Sequence, residues 1–148
     1  VANEIAIEII NQLNRMTISA TIKNDHQQND IVVSTQGNEK KIAIPSKPGG
    51  QGSSVNGGEL LFLALATCFC HDIYREAAKR KLEITSVDVT VTGEFGKEGE
   101  PGSNIHYQTK IQSNASQEEI ADLIQHVDKI AEIHNTLRKG VSVTLSAS

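Results

Sequence analysis

The chain has 148 residues, 38% of them apolar, and a formal charge of −4 from 14 Lys and Arg against 18 Asp and Glu. That length suits one domain with a real core but not two, and the acidic balance argues against general affinity for nucleic acid or anionic membrane. Aromatic residues make up only 3%, with no Trp, so base-stacking platforms and aromatic cages lack material.

Residues 4 to 10 alternate weakly between apolar and polar side chains, and Met16, Ile18, Ala20 and Ile22 alternate more clearly. Period two with Thr and Ile predicts strands. The run from Asn24 to Asp30 reads as a polar turn, and Ile31 to Ser34 and Lys41 to Ile44 read as further strands around Gly37 and Asn38, completing an N-terminal meander. Residues 45–58 are rich in Pro, Gly and Ser and predict an irregular connection able to rim a site. The N-terminus lacks a basic region followed by an apolar one, so no secretion signal is read there.

From Glu59 to about Lys81 no Pro or Gly interrupts a run of good helix formers, predicting a helix roughly 35 Å long at about 1.5 Å per residue. Leu60 to Cys70 is apolar at every position except Thr67, so the first half of this helix is expected to be enclosed by other elements. The run falls short of the roughly 18 apolar residues that suggest a membrane span. Beyond His71 the pattern turns amphipathic, with Ile73, Ala77 and Ala78 against Arg75, Glu76, Lys79 and Arg80.

Leu82 to Phe95 predicts a long strand, with Ile105 to Ile111 its antiparallel partner across a Gly- and Glu-containing loop. Ser116 and Glu119 have the spacing of a capping box, followed by an apolar helical stripe of Ile120, Leu123, Ile124 and Val127. A short helix through His134 to Arg138 is expected to end at Gly140. Val141, Val143 and Leu145 alternate as a closing strand. No internal repeat, phosphate loop or nucleic-acid module is visible.

Chemistry concentrates at Cys68 and Cys70, the two cysteines of the chain. Residues i and i+2 of a helix point about 200° apart, so a relaxed disulfide between them does not fit a regular helix. Either the helix distorts or one thiol alone faces the chemistry. Free thiols of this kind suit a reducing, cytoplasmic compartment. His71 can share the face of Cys68 and Arg75 lies one turn further on; a cation beside the sulfur would lower its pKa from about 8.5 and raise the thiolate fraction. Cys68, Cys70 and His71, with Glu132 and His134 as additions, are donors of the type zinc or copper takes. Three adjacent helical residues do not converge tetrahedrally, however, and neither a metal nor another cofactor is expected. His26, His106 and His126 have no supporting constellation.

The stretch from Asn56 through Gly57, Gly58 and Glu59 to Thr67, Cys68 and Phe69 resembles the central-helix motif of the osmotically inducible protein C and organic hydroperoxide resistance superfamily. The order of elements agrees along nearly the whole chain, and the tail from Asn135 to Thr144 is similar to the family's closing segment. The resemblance implies an α+β fold for residues 1–148, with antiparallel sheets packed around a long central helix in an intertwined homodimer. It also implies reduction of organic hydroperoxides by a peroxidatic cysteine, which falls on Cys68, through a sulfenic acid trapped by a second thiol.

Two positions depart from the family pattern. The usual catalytic glutamate falls on Gly58, and the usual resolving cysteine falls on Ala131. Substitutes offered by this chain are Cys70 or an external thiol reductant for resolution, with Glu132 and His134 entering from the second helical segment. An arginine that the family brings from an N-terminal strand corresponds to Arg15, with Arg75 as the alternative. The expected partner molecule is a small organic hydroperoxide or another apolar electrophile. A non-catalytic small-molecule-binding or stress-associated dimer that retains the fold is the competing expectation, with a mainly structural dimer as the third.

Overall fold

A computed structural model describes residues 1–25 and 27–147, and among these described residues four helices and five strands follow one another in an α+β order. His26, one of the histidines given no role, lies outside the described residues. Contacts group the chain into two units, Val1–Asn56 and Gly57–Ser148.

The first unit opens with helix α1, Ala2–Leu13, where alternation over residues 4 to 10 predicted extended chain. Ile5, Ile9 and Leu13 are spaced four apart, and this helical stripe wins over the weaker period-two pattern. Strands β1 (Ile18–Asp25), β2 (Gln28–Thr35) and β3 (Asn38–Lys41) form an antiparallel sheet in that order. The expected polar turn at 24–30 is much shorter, because pairing continues to Asp25 opposite Gln28. Asn24 Nδ2 donates to Asn29 Oδ1 at 2.6 Å across the ladder, so polar side chains satisfy one another within the strands. The third strand begins at Asn38, immediately after Gly37 adopts φ 80° in the turn. Residues 45–54 are held rather than loose: Ser46 bridges Ser53, and the Ser54 N–H donates to the Pro45 carbonyl at 2.9 Å.

The second unit is built on helix α2, Gly57–Lys79. Its end is a Schellman turn: Lys81 takes φ 58°, the Leu82 N–H reaches the Ala77 carbonyl at 2.9 Å, and the Lys81 N–H reaches Ala78 at 3.1 Å. Free carbonyls of the last turn are thereby satisfied. Strands β4 (Ile84–Glu94) and β5 (Ser103–Ser113) pair antiparallel with Val87 opposite Ile111 and Val91 opposite Tyr107. Gly93 lets Phe62 lie on this ribbon, since a Cβ there would stand 2.6 Å from Phe62 Cζ.

Helix α3, Gln117–Ile130, starts with the expected capping box: the Glu119 N–H donates to Ser116 Oγ at 3.2 Å and the Ser116 N–H to Glu119 Oε2 at 2.9 Å. Helix α4, Glu132–Arg138, follows at once. Ala131 is both the last cap of α3 and the first of α4, with φ −63° and ψ 108°. Its N–H donates to the Val127 carbonyl and its own carbonyl accepts from Asn135, each at 2.9 Å.

Phe69, Ile73 and Ala77 of α2 pack with Leu123, Val127 and Ala131 to form the buried core, and Tyr107, Val87, Val89 and Cys68 lie against it. Burial therefore falls mainly on the second half of α2, not on the apolar first half expected to be enclosed. Leu63 is 60% exposed in the single chain. Val141, Val143 and Leu145 do not form the expected strand and are exposed. Alternation makes a segment able to pair, but neither sheet of the described residues includes this one. No helix among the described residues is long and apolar enough to cross a membrane.

Because Leu123 is fully buried at this seam, Leu123→Ala should lower unfolding free energy by about 2–5 kcal/mol. Chemical denaturation of the variant and the parent chain measures the difference.

Candidate functional site

Successive turns of α2 put Cys68, Asp72 and Arg75 on one side of the helix, at i, i+4 and i+7. Phe69 and Ile73, one position on from the first two, anchor that helix in the core. The start of α4 then brings Glu132 to the sulfur. Cys68 Sγ lies 3.8 Å from Asp72 Oδ2 and 3.9 Å from Glu132 Oε2, each within donating distance of the thiol. Asp72 is almost fully buried, and its other oxygen, Oδ1, is paired with Arg75 Nη1 at 2.7 Å.

The electrostatics differ from those expected of a cation-activated thiol. Burial pushes the Cys68 thiol above its ordinary value, the Ile133 backbone N–H opposes that shift, and the charges of Asp72 and Glu132 add to it. Burial likewise raises Asp72. Glu132 raises it further, Arg75 lowers it, and a hydrogen bond with Glu132 favours its protonated form. Arg75 is directed to carboxylates rather than to sulfur: its Nε also pairs with Glu76 Oε1 at 3.0 Å. Glu76 is buried and gathers Lys79 at 2.7 Å and the His126 ring at 3.3 Å. Hydrogen bonds from Lys79 and then Arg75 hold its carboxyl down to about 2. The resting site thus pairs a protonated thiol with two carboxyl groups, one of them buried.

Cys68 Sγ and one oxygen from each of Asp72 and Glu132 lie within 4.8 Å of one another, a mixed sulfur and oxygen donor set. It differs from the Cys68, Cys70 and His71 grouping weighed from sequence. Cys70 instead lines a separate depression of about 280 Å³ with Ala66, Thr67, His71 and Val89. Both cysteines are free. The helical geometry that sends i and i+2 apart accounts for Cys70, and His71, expected to share the face of Cys68, lines the Cys70 depression instead of joining the sulfur–carboxylate cluster.

His134 goes elsewhere again. It is 4% exposed, packs edge-on against Tyr107 with ring centroids 4.6 Å apart, and lies 5.7 Å from the Phe69 ring. Neither of its ring nitrogens has a hydrogen-bond partner among the described residues, and burial lowers its pKa. Beside it the Tyr107 hydroxyl donates to Asp128, which Arg138 holds through Nη2 at 2.6 Å. Arg15 belongs to the first unit, where it follows α1 and its carbonyl accepts from Gln36 Nε2 at 3.4 Å.

Of the sequence candidates, Cys68 and Glu132 meet directly, and Arg75 joins them through Asp72. Asp72 is not among the sequence candidates. The signal that identifies it is its i+4 spacing from Cys68. His126, given no constellation, is a partner of buried Glu76; no local spacing reveals that contact because 50 residues separate the two.

A sequence profile of the family described as OsmC-like protein matches residues 50–146. No curated protein sequence matches the chain. Among solved structures, an OsmC-like protein from Mycoplasma pneumoniae superposes with a TM-score of 0.60 at 23% identity, covering 86% of this chain and 89% of that one. An organic hydroperoxide resistance protein OsmC from Legionella pneumophila gives 0.52 at 22% identity, with 85% and 92% covered. An OsmC-like hydroperoxide resistance protein from a Jannaschia species gives 0.52 at 18%, with 86% and 89% covered. At these identities the likeness concerns the fold.

Two pH dependences follow. The folded chain holds the Asp72 proton to higher pH than the unfolded chain does, so this group subtracts stability as pH rises above about 4. The difference between Asp72→Asn and the parent should therefore move in the variant's favour across that range. His134 has the opposite relation: its folded pKa is depressed, so its contribution is present above about 6.5 and lost as pH falls below that value. His134→Phe should flatten that slope. Unfolding free energies measured across pH test both.

Proposed function

This chain belongs to the OsmC-like protein family, and on that premise we propose that it reduces organic hydroperoxides with Cys68 as the attacking thiol. The observation that carries the reading is the convergence of the Cys68 thiol on two carboxyl groups, at 3.8 Å to Asp72 and 3.9 Å to Glu132. A protonated thiol is a poor nucleophile, but a carboxylate in reach of its proton can remove that proton as the sulfur attacks. The raised pKa of Asp72 suits that task, since a general base works best when its pKa approaches the operating pH.

In the proposed step Asp72 takes the thiol proton while sulfur attacks the terminal oxygen of the hydroperoxide. The O–O bond breaks with its electron pair leaving on the alkoxide, which takes the proton from Asp72 and departs as the alcohol. Sulfur is oxidised by two electrons to the sulfenic acid and the hydroperoxide is reduced. An external thiol then condenses with the sulfenic acid, releasing water, and a second external thiol cleaves the mixed disulfide and restores Cys68. External thiols are favoured because Ala131 supplies no sulfur and Cys70 lines a different depression. Arg75 is a positioning residue, fixing Asp72 through its Oδ1.

The proposed setting is a cytoplasmic homodimer. Two free thiols suit a reducing compartment, and the exposed alternating residues Val141, Val143 and Leu145 are of the kind a second copy can cover. A second reading is a non-catalytic dimer that binds small molecules. The upward shift of the Cys68 thiol is the observation in its favour.

Trapping of sulfenic acid with a dimedone-type probe, together with hydroperoxide consumption in the presence of a dithiol, separates the two. Cys68→Ser is expected to abolish both signals and Cys70→Ser to retain them. Equal background consumption by the parent and Cys68→Ser would leave the binding reading in place.

A further inference from the structure

We infer that the Cys68 site selects uncharged electrophiles and turns away those carrying a negative charge near the reacting atom, because Glu132 and Asp72 both face its sulfur. This rests on the reading of Cys68 as the reactive thiol and narrows it to a charge class of substrate.

A molecule reaching Cys68 Sγ comes beside Glu132, an exposed residue whose Oε2 is 3.9 Å from the sulfur. Among the described residues no ion pair engages Glu132. Asp72 supplies a second carboxyl group 3.8 Å from sulfur on the buried side. The one guanidinium in the cluster is already divided, with Nη1 on Asp72 at 2.7 Å and Nε on Glu76 at 3.0 Å. Lys79 and His126 face Glu76 rather than the thiol. An incoming carboxylate therefore finds no free cation in the cluster and must sit near Glu132. Between two charges a few ångströms apart at a partly exposed site, repulsion amounts to about a tenfold disfavouring or more. Salt weakens it, because one of the two carboxylates is open to solvent.

Asp72 and Glu132 bring negative charge to the sulfur, and the Arg75 guanidinium is already paired with Asp72 and Glu76. Uncharged alkyl or aryl hydroperoxides pay no electrostatic cost on entry. A hydroperoxide with a carboxylate close to its peroxide does.

Two pairs of probes test this in the Cys70→Ser background, which leaves Cys68 as the one thiol. The first pair is iodoacetamide and iodoacetate, whose rates at Cys68 are normalised to those with a free small-molecule thiol. The second is tert-butyl hydroperoxide and 2-hydroperoxy-2-methylpropanoate, which carries a carboxylate in place of one methyl group, followed by sulfenic acid formation. In both pairs the uncharged member should react about tenfold faster at low ionic strength, and raising the salt to about 0.5 M should shrink the ratio. Glu132→Gln, a substitution at an exposed position, should bring the ratio toward unity by accelerating the anionic member. Equal normalised rates for iodoacetamide and iodoacetate, or a ratio indifferent to Glu132→Gln, would overturn the inference. If the alkylation ratio behaves as expected while neither hydroperoxide oxidises Cys68, charge selection stands for electrophiles in general and the peroxidase reading falls.

Discussion

The packing of α2 against the α3–α4 pair is the constraint on which the second unit depends. Phe69, Ile73 and Ala77 lie on the helix face buried against Leu123, Val127 and Ala131, and burying apolar surface at this seam contributes the main favourable term. Fixing that face also fixes the next one. Cys68 and Asp72 sit one residue before Phe69 and Ile73, so they emerge along the margin of the seam, where α4 begins. The position of the thiol follows from core packing, and its chemical surroundings follow from whichever residues the same packing brings to that margin.

What arrives there is mostly negative. A cation-rich pocket lowers a thiol pKa and stores a ready thiolate, whereas this margin raises the Cys68 pKa and sets carboxyl groups beside the sulfur. Arg75 and Glu76 extend the network along α2, with Lys79 and His126 compensating the buried Glu76. The arrangement places the cations of α2, Arg75 and Lys79, about two and three turns from Cys68, where they pair with carboxylates instead of facing the thiol. Under the proposed reading, attack moves the thiol proton to a carboxylate rather than drawing on a standing population of thiolate.

Much of the fold was legible in the sequence because the relevant signals are local. The uninterrupted run after Glu59 gives α2, the Ser116–Glu119 spacing gives the start of α3, and the alternation of Val87, Val89 and Val91 gives β4. Where two periodicities overlap, as in residues 4 to 10, the weaker one misled, and α1 took the place of extended chain. The closing segment illustrates another limit, since alternation at Val141, Val143 and Leu145 records an ability to pair without naming the edge to pair with. For the site, the spacing of Cys68 to Asp72 was available in the sequence, and the resemblance to the OsmC-like family drew attention to Gly58 and Ala131 instead. The meeting of Cys68 with Glu132, 64 residues apart, depends on helix packing that no local spacing encodes. Arg75 was a candidate for stabilising thiolate, but its short contacts are with Asp72 and Glu76.

The junction at Ala131 carries a mechanical consequence. One buried residue ends α3 and begins α4, and hydrogen bonds fasten it from both sides. The torsions at that alanine therefore act as the pivot between the two helices, and Glu132 is the first residue on the far arm. A lever so short gives little travel for a given rotation, and a pivot shielded from solvent has little freedom to rotate. The gap between Glu132 and the sulfur is accordingly geared to the core itself, so the reach of the site should loosen when the core loosens and hold steady while surface loops fluctuate.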